Sequence, residues 1–313
     1  MSALGERERP IVPRAEPRSY YGRAVLNEPV WTWEIPCYFF TGGLAGASAT
    51  LGLAADVAGN EALARRAWGV ALAAVATSPP LLISDLGRPE RFLNMLRMVK
   101  VTSPLSVGTW VLSASGSLIA AASAHALLGR LPRVGPVAKL GAGSLGPALC
   151  TYTAVLVADT AVPVWHEARR ELPFVFAGSA MASAGAAATL FTAPRSAGPA
   201  RRLAVLGAAL ELGATEAMER RLGELAEVYH EGKARPYARA AKALGGLGAA
   251  TVALAGRRTR TAAAVGALVV LAGSLLERLA VYHAGFESAR DPKYTVGPQR
   301  RRADARAGSV AAG

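Results

Sequence analysis

Along most of the chain, long apolar stretches with few or no charges alternate with shorter segments that carry most of the charged residues. About 20 helical residues cross the hydrocarbon core of a bilayer, fewer where it thins, and a helix satisfies its own backbone hydrogen bonds there. We therefore predict an all-α integral membrane protein with about eight transmembrane helices. The predicted spans are Ile35–Ala55, Ala67–Ser84, Leu105–Leu128, Leu145–Val162, Pro173–Ala193, Leu203–Ala217, Ala240–Ala255 and Thr261–Tyr282.

These spans divide the chain into a polar amino-terminal segment at residues 1–34, a transmembrane helical domain at 35–283 and a polar tail at 284–313. An even number of spans places both termini on one side of the membrane, which we call the N-side. The amino-terminal segment is too long and too acidic for a signal peptide, so Ile35–Ala55 is interpreted as the first span.

Several features are typical of the membrane interface. Residues Leu86–Lys100 space apolar side chains as an amphipathic helix does, and Glu219–Arg239 forms a long charged connection. Five tryptophans lie where spans begin or end, the depth at which interfacial aromatic residues are expected: Trp31, Trp33, Trp68, Trp110 and Trp165.

The amino-acid composition narrows the range of functions that the protein could have. Only 18% of residues are charged, against about 25% in soluble domains, and the net charge is +13. Because the basic residues lie beside apolar spans, membrane lipid rather than nucleic acid is the predicted counter-charge. Two isolated cysteines cannot hold an iron–sulfur cluster, and four histidines at span ends or in loops do not predict a haem or another metal site.

The distribution of basic residues bears on orientation. Short loops opposite the N-side hold 11 of the 35 Lys and Arg residues, whereas most N-side basic residues lie in long segments of mixed charge. The positive-inside rule is counted on short loops, so we expect the N-side to be extracytoplasmic and the protein to lie in the plasma membrane.

Ionisable residues within spans are costly and are candidates for function. In the predicted eight-span topology, the candidate residues within or at the ends of spans fall in the N-side half of the membrane. These residues are Glu34, Asp85, Asp159, Glu211, Glu277 and Arg278. This clustering predicts one polar cavity that opens to the N-side. The alternative is that they are boundary residues whose charged groups reach water.

Several motifs point to a family. They are Trp31-x-Trp33-x-Ile35-Pro36, Asp85-Leu86-Gly87-Arg88-Pro89, Ser103-Pro104-Leu105-Ser106, Tyr152-Thr153-Ala154 and Asp291-Pro292-Lys293-Tyr294. Together they resemble the NrfD/PsrC family, the membrane subunits of polysulfide-reductase-like and related molybdoenzyme complexes. The resemblance runs from about Tyr20 to Arg302, and the Asp-Leu-Gly-Arg-Pro and Ser-Pro-x-Ser motifs are its most specific parts.

The resemblance implies a fold of eight or more helices in two four-helix bundles, without haem or metal. It also implies a bound quinone, menaquinone or another, near the face where a ferredoxin-like, four-cluster iron–sulfur subunit docks. That subunit relays electrons to or from a catalytic subunit that often contains molybdopterin. The expected function is a quinone-reactive subunit in anaerobic respiration, enzymatic only as part of its complex.

Quinone reduction takes up two electrons and two protons, so its carbonyl oxygens need a hydrogen-bond donor and a nearby acid. Tyr152 matches a tyrosine region of the family's quinone site, and the predicted acids are Glu34, Asp85 and Asp159. Further predicted contacts are Asn27, Trp33, Arg88 and Glu211. Asp85 and Arg88 could instead pair to hold the loop after the second span.

Two other functions stay open. A proton or small-solute transporter would use buried acids, although such folds usually show inverted repeats, and no clear repeat is visible here. A passive membrane anchor without a quinone site would need none of these acids.

Overall fold

The computed structural model describes residues 24–297 and residue 299, and their regular structure is helical throughout. Eight helices of 20 residues or more follow the order of the predicted spans. They are α1 (Glu34–Val57), α2 (Glu61–Ser84), α3 (Pro104–Leu128), α4 (Gly135–Ala158), α5 (Leu172–Phe191), α6 (Gly198–Leu222), α7 (Ala234–Leu254) and α8 (Arg260–Arg290). Tyr20 and Arg302, the two ends of the family resemblance, lie outside the described residues.

Six of these helices are long and apolar enough to cross a membrane: α1 to α5 and α8. Helix α6 carries charges at both ends and Glu211 in its middle, and α7 begins with several basic residues. The prediction of several spanning helices is therefore confirmed, while the count of eight stays a prediction.

Several of the observed helices are longer than the spans that were predicted for them. Helix α2 begins at Glu61, where the Asn60 side chain accepts a hydrogen bond from the Leu63 backbone N–H, so the predicted start at Ala67 was six residues late. Helix α4 begins ten residues before the predicted start at Leu145. A helix continues until a cap or turn ends it, so hydropathy marks only its apolar part.

The charged connection and the amphipathic helix predicted between spans are both shorter in the structure. The charged connection after α6 shrinks to residues 223–233, which contain the short helices Gly223–Ala226 and Glu227–His230. Between α2 and α3, Pro89–Arg91 forms a 3₁₀ turn and Phe92–Arg97 a single short helix. Val99, which lies in the predicted amphipathic segment, is therefore outside the observed helix.

The helices pack in two groups of four. In the first group α1 packs against α2 and α4, and α3 packs against the same two helices. In the second group α5 packs against α6, α7 packs against α8, and α5–α8 and α6–α7 contacts close the group. Helix α1 contacts both α5 and α8, so it lies at the junction of the two groups.

Small residues allow these helices to approach closely, as is usual for helices in lipid. A Cβ atom on Gly46 of α1 would lie 2.5 Å from the carbonyl oxygen of Gly146 in α4. The Thr50 hydroxyl donates a 2.9 Å hydrogen bond to the Gly143 carbonyl across the same contact. Gly178 of α5 meets the backbone of Glu211 in α6 in the same way, and this contact fixes the height at which Glu211 enters the second group.

Two tryptophans expected at the interface are instead fully buried. The indole N–H of Trp68 donates to Asp56 Oδ2 at 2.7 Å, and that of Trp165 donates to the Val281 carbonyl at 2.7 Å. An indole that finds an acceptor inside the protein no longer needs the headgroup region, so the interfacial expectation was wrong for both. Trp33 and Trp110 are exposed.

Candidate functional site

Three residues at the N-side end of the first group form a hydrogen-bonded unit, which we call the rim cluster: Thr32, Glu34 and Asp85. Glu34 is the first residue of α1, and Asp85 directly follows α2. The Thr32 hydroxyl lies 2.7 Å from Asp85 Oδ1 and also contacts Glu34 Oε2, while the Thr32 backbone N–H donates to Asp85 Oδ1 at 2.8 Å. Two of the predicted acids are therefore brought together.

The rim cluster is arranged to share a proton. A threonine hydroxyl has one proton to donate and lone pairs to accept with. When one carboxyl is protonated it donates to the hydroxyl, which in turn donates to the other carboxylate. Because Glu34 and Asp85 are only half-buried, this relay can exchange protons with N-side water.

Contacts from the second group fix the backbone that leads into the rim cluster. The Tyr282 hydroxyl of α8 donates to the Trp31 carbonyl at 2.6 Å, and the Trp31 ring stacks on Trp165 with centroids 5.5 Å apart. Glu28 accepts two hydrogen bonds from Arg290, at 2.7 and 2.8 Å. That bidentate contact lowers the pKa of the Glu28 carboxyl below its ordinary value.

The other predicted contacts near this end are spread over the surface. Trp33 is 65% exposed and lies between two members of the rim cluster, whereas Asn27 and Arg88 are exposed. Among the described residues no ion pair joins Asp85 to Arg88. Asp85 is instead hydrogen-bonded to the backbone and the side chain of Thr32.

Tyr152 and Asp159 lie on α4 and at its end, and α4 packs against both α1 and α3. The Tyr152 ring of α4 packs against Gly108 of α3, and Asp159 is an exposed residue that ends α4. Within the part of the chain that the structure describes, no hydrogen bond joins either residue to the rim cluster. The N-side acids are thus distributed over more than one place.

A second set of polar residues lies inside the second group, and we call it the buried polar row. On α6 it contains Glu211, Thr215 and Glu219, which share one face because they are spaced four residues apart. On α8 it contains Glu277 and Arg278, of which 3% and 1% are exposed.

Arg278 is held by α5. Its Nη2 donates to the Phe176 carbonyl at 2.8 Å, and its guanidinium carbon lies 3.7 Å from the centre of the Phe176 ring. The carboxylates of Glu211 and Glu277 lie within electrostatic range of this cation. A buried cation flanked by two buried carboxylates is a compensated arrangement, since an isolated buried charge would be far costlier.

The buried polar row continues to the N-side. Glu219 Oε2 lies 2.7 Å from Lys242 Nζ and 3.5 Å from His230 Nε2, and His230 is exposed. The hydroxyl of Tyr229 is buried beside these groups, and burial raises its pKa well above the ordinary value, with a further contribution from Glu277 and Glu219.

Many polar atoms in this row lack a hydrogen-bond partner among the described residues: Thr215 Oγ1, Glu219 Oε1, Tyr229 OH, Ser274 Oγ, and Nε and Nη1 of Arg278. Buried polar groups are normally paired with protein or with ordered water. A row of such groups therefore suits a file of water molecules. Glu211, Glu277 and Arg278 were predicted from the sequence as buried ionisable residues, whereas Thr215 and Glu219 were not. The signal for these two was their helical spacing, four and eight residues after Glu211.

Potential metal-ligating side chains are scattered over the described part of the chain. Over residues 24–297 and 299, no three His, Cys, Asp or Glu side chains are grouped so that they could hold a metal ion. Cys150 is buried and Cys37 is partly exposed, and both are free thiols.

The apolar helices and their packing define a multi-pass membrane protein. Comparison with protein families matches residues 24–208, more than half of the chain, to the family described as polysulphide reductase, NrfD. The chain therefore belongs to the NrfD family, and the resemblance noted in the sequence is confirmed. No curated protein matches the chain. The matched region contains the rim cluster, Tyr152 and Asp159, and it ends before Glu211.

Proposed function

We propose that this chain is the quinone-reactive membrane subunit of a respiratory oxidoreductase complex. Membership of the NrfD family supports a subunit of this class. The rim cluster is the observation that carries the proposal, because it joins two carboxyl groups through one hydroxyl at the N-side. Such a unit can take up protons released by a quinol, or supply them to a quinone.

In this proposal the rim cluster performs the proton chemistry and exposed neighbours contact the quinone. Trp33 offers an aromatic face beside the two acids, and Asn27 and Arg88 are exposed hydrogen-bond donors. Tyr152 and Asp159, which form no hydrogen bond to the rim cluster among the described residues, are proposed as outer contacts that a larger headgroup would reach.

The proposal includes partners and orientation. Electrons pass between the quinone and an iron–sulfur subunit docked on the N-side, and from there to a molybdopterin catalytic subunit. The chain crosses the plasma membrane eight times in two four-helix bundles, with its N-side extracytoplasmic. The opposite side is favoured as cytoplasmic because its short loops are basic and nearly free of acids.

The test uses the intact complex purified from membranes and a menaquinol analogue as electron donor. We expect Glu34→Gln and Asp85→Asn each to lower turnover on the order of 100-fold, the usual contribution of a positioned acid or base. Glu61→Gln is the matched control, because Glu61 is an exposed acid at the other end of α2.

Unchanged turnover in both rim variants would support a passive anchor and exclude the rim cluster. If only Asp159→Asn or Tyr152→Phe lowered turnover, the quinone would bind beside α4 instead.

The buried polar row favours a second candidate function, which is proton movement through the second group. Unpaired polar atoms spaced along α6 and α8 suit a relay of acids and water. The purified chain alone, reconstituted in liposomes with an enclosed pH-sensitive dye, tests it. Proton flux that falls in Glu219→Gln and Glu277→Gln but not in Glu216→Gln, an exposed position on α6, would support it. Absence of flux in the unaltered chain would exclude a transporter that works without partners.

A further inference from the structure

A groove on the side opposite the N-side lies where α6 begins and α7 ends. It encloses a cavity of about 480 Å³. Three arginines line one part of it, Arg201, Arg202 and Arg257, and we call it the arginine pocket.

The arginine pocket concentrates positive charge without compensation. Residues 192–202 and 252–260, which form its walls and the adjoining loops, contain no aspartate or glutamate. Arg201, Arg202 and Arg257 take part in no ion pair among the described residues. Burial lowers the pKa of Arg201, and the guanidinium groups of Arg257 and Arg202, which line the same cavity, lower it further.

Hydrogen-bond donors remain available in this pocket. Arg201 Nη1 donates to the Pro194 carbonyl at 3.0 Å, which orients its guanidinium, and each guanidinium carries five N–H donors in a planar fork. Such forks match the oxygens of a phosphate group. Gly198, the first residue of α6, adds the amino end of a long helix, which also favours an anion.

The remainder of the pocket is apolar and opens to the outer surface of the helices. Val205 and Leu206 of α6 and Val252 of α7 line it directly below the arginines. Leu206 is 62% exposed, and Leu254 beside the pocket is 76% exposed. The ligand must therefore combine a negative head at the membrane surface with apolar chains that extend along the groove.

We propose that the arginine pocket binds an anionic glycerophospholipid, with its phosphate among the three arginines and an acyl chain along α6 and α7. The lipid would fill the groove between these two helices, which are the two least apolar of the eight. Basic pockets between transmembrane helices bind anionic headgroups in this manner. A soluble phosphate would leave the apolar half of the pocket exposed, so the lipid is the better fit.

The full chain, purified in detergent, tests the proposal by native mass spectrometry with phosphatidylglycerol as the probe. We expect the triple variant Arg201→Gln, Arg202→Gln, Arg257→Gln to bind it at least tenfold more weakly. The control removes three arginines of the same loops that do not line the pocket, by Arg195→Gln, Arg258→Gln and Arg260→Gln, and should stay within twofold. Phosphatidylcholine should bind the unaltered chain more weakly than phosphatidylglycerol.

Equal loss in the two triple variants would overturn the proposal, because it would reflect net charge alone. Glycerol 3-phosphate that displaces the lipid at similar concentrations would also overturn it, by showing a site for soluble phosphate. If the triple glutamine variant fails to fold, the three single variants replace it. Each should then bind at least twofold more weakly, and unchanged binding in all three would contradict the proposal.

Discussion

At the scale of single residues, buried charge is the most costly feature of this protein. Arg278 combines a hydrogen bond to Phe176, contact with the Phe176 ring and two nearby carboxylates. Its Nε and Nη1 have no partner among the described residues. A residue with so many compensating contacts cannot be removed without leaving Glu211 and Glu277 uncompensated in the second group.

We therefore expect Arg278→Ala to destabilise the protein by about 3 kcal/mol, because it leaves two buried carboxyl groups without the cation that lies near them. Arg278→Lys should recover only part of this, since an ammonium group lacks the planar fork that stacks on Phe176. Thermal unfolding in detergent measures both, with the exposed Arg258→Ala as control. Equal melting temperatures for all four proteins would contradict this account of Arg278.

The Glu28–Arg290 pair predicts a pH dependence at the amino-terminal end of the described chain. The pKa of Glu28 is lowered in the folded state, so its contribution is present above the ordinary pKa of 4.5 and is lost as pH falls through the lowered value. The pair is exposed, so the effect should be at most about 1 kcal/mol.

Amide hydrogen exchange of residues 24–33, corrected for its intrinsic pH dependence, measures this effect. Protection should fall as the solution is acidified below the ordinary pKa of Glu28. In Arg290→Gln the protection should already be reduced at neutral pH and change little on acidification. A pH response that survives this substitution would place its cause at another group.

At the scale of helices, close contacts between small residues decide how the two groups assemble. Gly46 and Gly146 bring α1 and α4 together, and the Thr50 hydrogen bond secures the contact. Gly178 does the same for α5 against Glu211 in α6. The first contact fixes α1, which begins with Glu34, against α4, and the second sets the height of Glu211 in the buried polar row.

Gly46→Leu should lower the stability of the protein by about 1–3 kcal/mol or prevent its assembly, because the added side chain meets the Gly146 carbonyl and the Cys150 side chain. Gly69→Leu in α2 is the matched control, since no atom lies within 4 Å of a Cβ placed there. The fraction of monodisperse protein after extraction and the melting temperature measure the difference. Equal behaviour would show that the α1–α4 contact is looser than described.

The order of the helices, their ends and the contacts between them have different physical causes, and the sequence predicts them to different extents. Bilayer thickness sets apolar length, so the order of the eight helices was predictable. Hydropathy gives the length of the apolar stretch but not the residue at which a helix begins, so the start of α4 at Gly135 was not predicted. The proximity of Glu34 and Asp85 followed from the alternating topology, but the link through Thr32 depends on a loop conformation that no periodicity encodes.

At the scale of the whole molecule, the two sides of the membrane differ in chemistry. The N-side carries the rim cluster on the first group and the outer end of the buried polar row, at Glu219 and His230, on the second. The opposite side carries the arginine pocket, whose three arginines form no ion pair among the described residues. We interpret the N-side as the face of quinone and electron transfer, and the opposite side as the face of lipid anchoring.

We propose that quinone binds at the rim cluster on the N-side. Labelling with a photoreactive menaquinone analogue is the most direct test of this position. After illumination of the intact complex in its membranes, labelled peptides are mapped by mass spectrometry, with excess menaquinol as competitor. We predict competed labelling of residues 27–34 and 85–88, and its loss in the double variant Glu34→Gln, Asp85→Asn. Labelling confined to α6 and α8, or to the side of the arginine pocket, would contradict the claim.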